Sequence, residues 1–145
     1  MPHVVILYSG NLEQEADVAL LCRRIADAML TVTDEQGAAV FPPGGIRVLA
    51  YPAAHAAIAD GGEAGRAAGG NGDYGFMYVN LRMGRGRSDE VKRRAGEAIT
   101  SAAKACMSPA MERMLMGLTV QVDEGQEVFD SKTSTLHPLF SKARG

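Results

Sequence analysis

The second residue of the chain, Pro2, is a candidate base. A small residue at position 2 lets an aminopeptidase remove the initiator methionine, so we expect the working chain to begin at Pro2. Its nitrogen would then be a secondary amine, and both burial and neighbouring cations favour the neutral form of an amine. A neutral amine at pH 7 is a general base. Proline makes up about 5% of average sequence, so its position alone does not establish this role.

Three arginines are candidates for binding an acidic substrate beside such a base. Arg47 follows Gly45-Ile46 at the start of a predicted strand, and Arg87 lies in the turn Gly84–Ser88 before a predicted helix, with Arg85 in the same turn. An arginine can hold a carboxylate through two parallel hydrogen bonds, and a helix N-terminus adds backbone donors. Most surface arginines are only solvated charges, so the residue type alone leaves both readings open.

Other patterns that carry chemistry are missing from the sequence. His3, His55 and His137 are far apart, and no cysteine or carboxylate lies at metal-ligand spacing from them, so we expect no metal site. The Gly84-x-Gly86 pair lacks the third glycine and the acidic residue of a dinucleotide site. No serine lies in a Gly-x-Ser-x-Gly motif.

Composition excludes several classes of protein. A chain of 145 residues with 46% hydrophobic and 22% charged residues is typical of one soluble globular domain. A net charge of −2 argues against nucleic acid as a partner, and no apolar run approaches the ~18 residues of a membrane span. We expect no signal peptide, because no basic region followed by an apolar core and a cleavage site opens the sequence. Cys22 and Cys106 lie on apolar stripes of predicted helices, which indicates free thiols in a reducing compartment, the cytoplasm.

Residues 1–52 have the pattern strand, helix, strand. Val4–Leu7 is an apolar, mainly β-branched run, typical of a strand covered on both faces. Ser9 or Asn11 is placed to cap a helix, and Ile46–Tyr51 is a second strand. The apolar positions of the helix recur at spacings of three and four residues: Val18, Leu21, Cys22, Ile25, Met29 and Val32.

The pattern repeats in residues 73–124, where a strand over 74–83 is followed by a helix that Ser88 caps. Ser108-Pro109 predicts the start of a short further turn of helix, and Leu118–Val122 is the last strand. The apolar stripe of the second helix is Val91, Ala95, Ile99, Ala102 and Cys106.

Two segments lie outside these halves. Residues 52–72 are rich in alanine and glycine and are either a mobile surface loop or a short helix around Ala53–Asp60. The tail, residues 125–145, contains the apolar segment Leu136–Phe140. We expect that segment to dock on its own domain or on a neighbouring subunit.

The sequence therefore predicts one α/β (α+β) domain over residues 1–145. Two β-α-β halves would form a four-stranded, mainly parallel or mixed sheet with both helices on one face. The strand residues are apolar on both sides, and parallel strands are normally buried on both faces. We therefore expect the second face to be covered by another copy of the chain.

Several short motifs occur in the order found in one family. They are Met1-Pro2-His3, Ser9-x-Asn11, Glu15-Ala16-Asp17, Gly45-Ile46-Arg47, Asp73-Tyr74-Gly75-Phe76, Gly84-x-Gly86-Arg87-Ser88, Ala95-Gly96-Glu97 and His137-x-Leu139-Phe140. In this order the chain resembles the 5-carboxymethyl-2-hydroxymuconate isomerases of the tautomerase superfamily, which includes 4-oxalocrotonate tautomerase and macrophage migration inhibitory factor. No single motif is specific. The match covers nearly the whole chain except the alanine- and glycine-rich segment, which looks like an insertion.

The resemblance implies a tautomerase fold that assembles as a trimer, with Pro2 as the catalytic base. It implies that Arg47 and Arg87 bind or polarise a dicarboxylate-type substrate, and Arg85 adds charge beside that site. The family reaction isomerises an unsaturated 2-hydroxy or 2-oxo di- or tricarboxylic acid in homoprotocatechuate breakdown, and it requires no metal or organic cofactor.

The sequence departs from the family at Leu7 and Tyr8, where an acidic residue and a cysteine are expected, and at Arg85, where a small residue is expected. These differences bear on the substrate more than on the reaction type. Two alternatives stay open. One is another superfamily activity, such as that of a hydratase, dehalogenase or decarboxylase. The other is a non-catalytic oligomeric binding protein, which a retained Met1 would favour because Pro2 would then be an amide.

Overall fold

The computed structural model describes residues 2–141 of the chain. Its four strands are β1 (His3–Ser9), β2 (Arg47–Ala53), β3 (Gly75–Met83) and β4 (Met116–Glu124). Its helices are α1 (Val18–Leu30), α2 (Glu63–Ala67), α3 (Asp89–Arg113) and α4 (His137–Ser141), and Gly10–Gln14 and Pro43–Gly45 form short 3₁₀ turns. No helix in this part of the chain is long and apolar enough to cross a bilayer.

The four strands form one mixed sheet in the order β2-β1-β3-β4. β1 is parallel to β2, β3 is parallel to β4, and the two central strands are antiparallel. α1 packs against β2 and α3 against β4, and the two helices contact each other on the same face. The predicted pair of β-α-β halves and the mixed sheet are therefore confirmed.

The core lies between the sheet and the two long helices. Side chains alternate along a strand, and the alternate positions Val4, Ile6 and Tyr8 of β1 are buried in this layer. Each of the two helices contributes one apolar stripe. The fully buried members from the helices are Leu21, Ile25, Met29, Ala95, Ile99, Ala103 and Met107.

The opposite face of the sheet, here called the open face, is apolar only in part. Leu7 and Leu49 are each 48% exposed, and Tyr51 is 50% exposed. The prediction that the strands are apolar on both sides is wrong for β3 and β4, since Asn80 of β3 donates a 2.9 Å hydrogen bond to Asp123 of β4 on this face. On this face β3 and β4 carry mainly polar residues, although Phe76 of β3 is an exposed apolar side chain.

Of the two predicted helix caps, the one for α1 differs from the structure and the one for α3 agrees. α1 is capped by Asp17, whose carboxylate accepts from the Leu20 amide at 2.9 Å, and not by Ser9 or Asn11. A 3₁₀ turn intervenes, in which the Ser9 hydroxyl donates to the Asn11 side chain at 2.7 Å. Ser88 does cap α3, by accepting from the amide of Val91.

α3 runs without interruption through Pro109, so the short separate helix predicted at Ser108-Pro109 is wrong. Proline cannot donate to the carbonyl four residues before it. Ala105 and Pro109 are both exposed, so that carbonyl lies on the solvent side, where water can serve as its donor. The buried stripe of α3 also differs from the predicted one in its second half. Ala103 and Met107 are buried there, whereas the prediction named Ala102 and Cys106.

The alanine- and glycine-rich segment contains a helix, but at Glu63–Ala67 and not around Ala53–Asp60. Asp60 accepts hydrogen bonds from the amides of Gly62 and Ala64, which sets the start of α2. The Tyr74 hydroxyl then accepts from the Gly65 amide at 2.9 Å, so α2 is held against the beginning of β3.

The apolar part of the tail docks on its own chain. α4 contacts the Pro43–Gly45 turn, although Leu139 remains 66% exposed. We expected Leu136–Phe140 to dock either on its own domain or on a neighbouring subunit. The structure shows it on its own domain. Residues 142–145 of the predicted tail lie outside the described part.

Candidate active site

Pro2 is buried and immediately precedes β1. A Cβ on Gly45 would lie 3.5 Å from Cδ of Pro2, so the prolyl ring packs closely on the Pro43–Gly45 turn. His3 is paired with Arg47 at the start of β2 and with Arg82 near the end of β3. The sheet therefore brings Pro2, the start of β2 and the turn after β3 to one end of the molecule.

Arg47 is half-buried at the start of β2, next to His3. Its Nη1 donates to the carbonyl oxygens of Gly44 at 2.7 Å and Ile46 at 3.1 Å. Both bonds use the same nitrogen, and within residues 2–141 no bond to Nη2 or Nε is found. The guanidinium is therefore fixed at one corner and keeps the donors that a carboxylate could accept.

Arg87 is held more completely than Arg47. Its Nη2 donates to the carbonyl of Val40 at 3.1 Å and its Nη1 to that of Gly84 at 3.4 Å. Its guanidinium carbon also lies 5.9 Å from the centroid of the Phe41 ring, which is within the range of a cation–π contact. Arg87 thus links the turn after β3 to the segment before Pro43–Gly45, and each terminal nitrogen keeps a second N–H.

Arg85 is exposed, and its Nη2 lies 3.4 Å from the carbonyl oxygen of Glu127. The structure adds Arg82, which the sequence analysis did not select. Arg82 lies on the open face beside His3 and pairs with the Glu127 carboxylate at 3.5 Å. The alternation of β3 was the available signal, because it places even-numbered residues on the face away from the helices.

His137 is a second residue that the sequence analysis did not assign to the site. In α4 its imidazole Cε1 lies 3.7 Å from the position of a Cβ on Gly45, the same point that lies 3.5 Å from Pro2. The imidazole and the prolyl ring thus adjoin one glycine. His137 is far from Pro2 in sequence, and no periodicity of the chain links the two.

Two of the three positions that depart from the family, Leu7 and Tyr8, lie away from Pro2 in the same chain. Leu7 is on the open face, and Tyr8 is buried near the far end of β1, about 20 Å along the strand at ~3.3 Å per residue. The Tyr8 hydroxyl donates to the Glu13 carboxylate. Burial, with that hydrogen bond, raises the pKa of Tyr8 to about 12. Tyr8 is therefore a neutral core residue at pH 7.

The end of the sheet that holds Pro2 is rich in positive charge. Arg47, Arg82, Arg85 and Arg87 lie at this end, and Glu127 contacts two of them, Arg82 through its carboxylate and Arg85 through its backbone carbonyl oxygen. Among the described residues no group of three or more His, Cys, Asp and Glu could hold a metal ion. Several guanidinium groups at one end of the sheet suit an anionic organic ligand.

Comparison with known proteins agrees with this geometry. The model of the 5-carboxymethyl-2-hydroxymuconate isomerase family matches residues 2–140. The 5-carboxymethyl-2-hydroxymuconate Delta-isomerase of Escherichia coli is 27% identical over 140 residues, which are 97% of this chain and 99% of that protein.

Solved structures give the same result. The crystal structure of a 5-carboxymethyl-2-hydroxymuconate delta-isomerase superimposes with a TM-score of 0.94 at 62% identity, covering 97% of this chain and 93% of that one. The 5-carboxymethyl-2-hydroxymuconate isomerase from Deinococcus radiodurans R1 gives a TM-score of 0.78 at 25% identity, covering 96% and 93%. The chain therefore belongs to the 5-carboxymethyl-2-hydroxymuconate isomerase family, and it is an isomerase of the tautomerase superfamily.

Proposed function

We propose that this isomerase acts, without a cofactor, on an unsaturated 2-hydroxy or 2-oxo di- or tricarboxylic acid of the 5-carboxymethyl-2-hydroxymuconate type, formed in the breakdown of homoprotocatechuate. In this proposal Pro2 is the N-terminal residue and the general base. Arg47 and Arg87 are catalytic and bind the substrate, and Arg85 contributes to binding. The relatives named for this reaction support the substrate class.

One observation carries the proposal: a buried proline adjoins Gly45 at the end of the sheet where the arginines gather. An ordinary α-amino group titrates at about 7.7–8.0. Burial and nearby guanidinium groups both destabilise a protonated amine. We therefore expect Pro2 to be neutral near pH 7, as a base must be.

The chemistry follows from this arrangement. The Pro2 nitrogen takes a proton from the enol hydroxyl, or from the carbon next to the carbonyl, and returns it further along the conjugated system. Negative charge develops on the dienolate between these two steps. Arg47 and Arg87 stabilise that charge from fixed positions, since both are already bonded to backbone carbonyls. The same cations keep Pro2 neutral.

A homotrimer is part of the proposal. The open face exposes apolar side chains of β1 and β2 that a second copy would cover. Val128 and Phe129, just after β4, are 103% and 84% exposed and lie next to Glu127, which pairs with Arg82 on that face. A fused 4-OT described as a symmetric trimer has the same fold, with a TM-score of 0.56 at 18% identity. We place the enzyme in the cytoplasm, consistent with its free cysteines.

Replacement of Pro2 tests the base directly. Pro2→Ala leaves an N-terminal amine but removes the ring, and we expect ketonisation of 2-hydroxymuconate to fall by at least about 100-fold, the usual contribution of a general base. Pro52→Ala, in an exposed part of β2, is the matched control and should keep full activity. Intact mass must show that Met1 is absent. Full activity of Pro2→Ala would exclude the proposal.

A second measurement separates acid–base chemistry from nucleophilic chemistry at the same nitrogen. A nucleophilic Pro2 would form an imine-type adduct that borohydride traps. We expect no such adduct in the presence of the substrate. A trapped adduct on Pro2 would assign the chain to a different branch of the superfamily chemistry.

A further inference from the structure

The C-terminal helix is seated on two consecutive glycines next to Pro2. A Cβ on Gly44 would lie 2.9 Å from Nδ1 of His137 and 3.2 Å from Cδ2 of Phe140. Contacts this short leave no room for a side chain at position 44. Gly44 and Gly45 are buried and form a notch that accepts α4.

His137 reaches further along this notch than Phe140 does. The nearest neighbours of a Cβ on Gly45 are Pro2, Pro42 and His137, whereas Phe140 is among the nearest neighbours only at Gly44. One helix therefore presents two side chains to the notch, and the imidazole adjoins the same glycine as the prolyl ring.

We propose that His137 is a positioning residue of the Pro2 site: its imidazole, held in the Gly44–Gly45 notch, forms one side of the pocket in which the prolyl nitrogen works. This inference rests on the proposed role of Pro2 as base. It makes α4 a functional part of the active site and not only a cover for the core.

The physical effect of the imidazole is to limit the water around Pro2. A protonated amine needs solvation more than a neutral one does, so a side chain that occupies this space favours the neutral base. The charged groups that the strand register and the turns place at this end of the sheet include Arg47 on β2, Arg82 on β3, Arg85 and Arg87 in the turn after β3, Asp123 on β4 and Glu127 after it. His3 is a further titratable residue at this end of the sheet. None of these residues is changed when His137 is replaced.

Two variants on the same helix separate positioning from docking. His137→Ala removes the group next to Gly45, and Phe140→Ala removes the group seated on Gly44 alone. We expect His137→Ala to raise the apparent pKa of the Pro2 nitrogen, followed by ¹⁵N NMR, by about half a pH unit or more. The acid limb of the kcat/KM profile should move to higher pH by the same amount. Phe140→Ala should lower the melting temperature but leave both the Pro2 pKa and the acid limb of the profile unchanged. In His137→Asn both quantities should shift less than in His137→Ala.

The outcomes are distinct. An equal shift in His137→Ala and Phe140→Ala would mean that His137 acts only by docking α4, which overturns the inference. No shift in a folded His137→Ala protein also overturns it. The NMR titration needs no substrate, so it tests His137 even if Pro2→Ala proves fully active and the proposed function fails. If Pro2→Ala loses activity while the Pro2 pKa in His137→Ala is unchanged, the proposed function stands and only the inference about His137 is overturned.

Discussion

Arg87 stacks on Phe41, with the guanidinium carbon 5.9 Å from the ring centroid, while the same guanidinium bonds to the carbonyls of Val40 and Gly84. Phe41 is almost fully buried. One arginine thus fastens the turn after β3 to the segment that leads into Pro43–Gly45, which in turn packs on Pro2.

Arg87→Lys should therefore reduce both stability and activity. A lysine keeps the charge but not the planar fork or the stacking, so we expect a loss of about 1–3 kcal/mol of unfolding free energy. We expect kcat/KM to fall at least about tenfold through misplacement of the turn. Urea unfolding and steady-state kinetics measure the two effects. Arg85→Lys, at an exposed position, is the control and should change stability by less than ~0.5 kcal/mol. Unchanged stability of Arg87→Lys would contradict this role.

Arg47 should affect the reaction more than the fold. Its bonds to Gly44 and Ile46 use one nitrogen, and the remaining donors are directed to a ligand in the proposed mechanism. For Arg47→Gln we expect kcat to fall by about 10²–10³, as for loss of one group that stabilises transition-state charge. Kinetics on 2-hydroxymuconate measures it, and thermal unfolding is the check on the fold. A rise in KM alone, with kcat unchanged, would restrict Arg47 to substrate binding.

The two glycines beneath α4 should respond differently to alanine. In Gly44→Ala the new Cβ would meet His137 and Phe140 at 2.9–3.2 Å, so α4 must shift, and we expect a loss of about 1–3 kcal/mol. In Gly45→Ala the nearest contacts are 3.5 Å, an ordinary packing distance, and the loss should be smaller. Thermal unfolding and limited proteolysis after β4 compare the matched pair. Equal stability of the two variants would argue against the notch.

Tyr8 should make the protein sensitive to alkali. Its pKa is raised from 10.0 to about 12 in the folded state by burial and by the hydrogen bond to Glu13. The unfolded chain therefore loses the proton first as pH rises, and stability is complete below pH 10 and declines between 10 and 12. The decline should be on the order of 2 kcal/mol. Unfolding midpoints of the native protein and Tyr8→Phe measure it, and the variant should have a flatter profile over that range. An equally steep decline in Tyr8→Phe would rule out Tyr8 as the source.

The open face should control the assembly. Leu7→Asp places a charge on an exposed apolar position of this face, and we expect it to shift the proposed trimer towards monomers in sedimentation velocity. Leu139→Asp, an exposed leucine of α4, is the matched control and should leave the trimer intact. A monomeric native protein would contradict the trimer itself.

Prediction from sequence was most accurate where local periodicity decides the structure. The β-α-β halves, the strand Gly75–Met83 and the Ser88 cap were all confirmed, because apolar spacing and capping chemistry are local properties. It was wrong at the cap of α1, because Ser, Asn and Asp can all cap a helix. It was also wrong at Pro109, because a proline can begin a helix or be tolerated inside one. The sequence offered Ser9 and Asn11 as caps, whereas the cap in the structure is Asp17.

By itself the sequence determined the strand and helix pattern of both halves, and it marked Pro2, Arg47, Arg85 and Arg87 as candidates for chemistry. Pro2 stands next to the first strand, and the arginine-bearing turns follow from glycine and proline signals. Only the tertiary structure decided which side chains surround Pro2. The antiparallel pairing of β1 with β3 brought Arg82 beside His3, and the return of α4 to the Gly44–Gly45 notch brought His137 to the same glycine as Pro2. Strand order and long-range docking depend on packing between distant segments, and no local spacing in the chain encodes that packing.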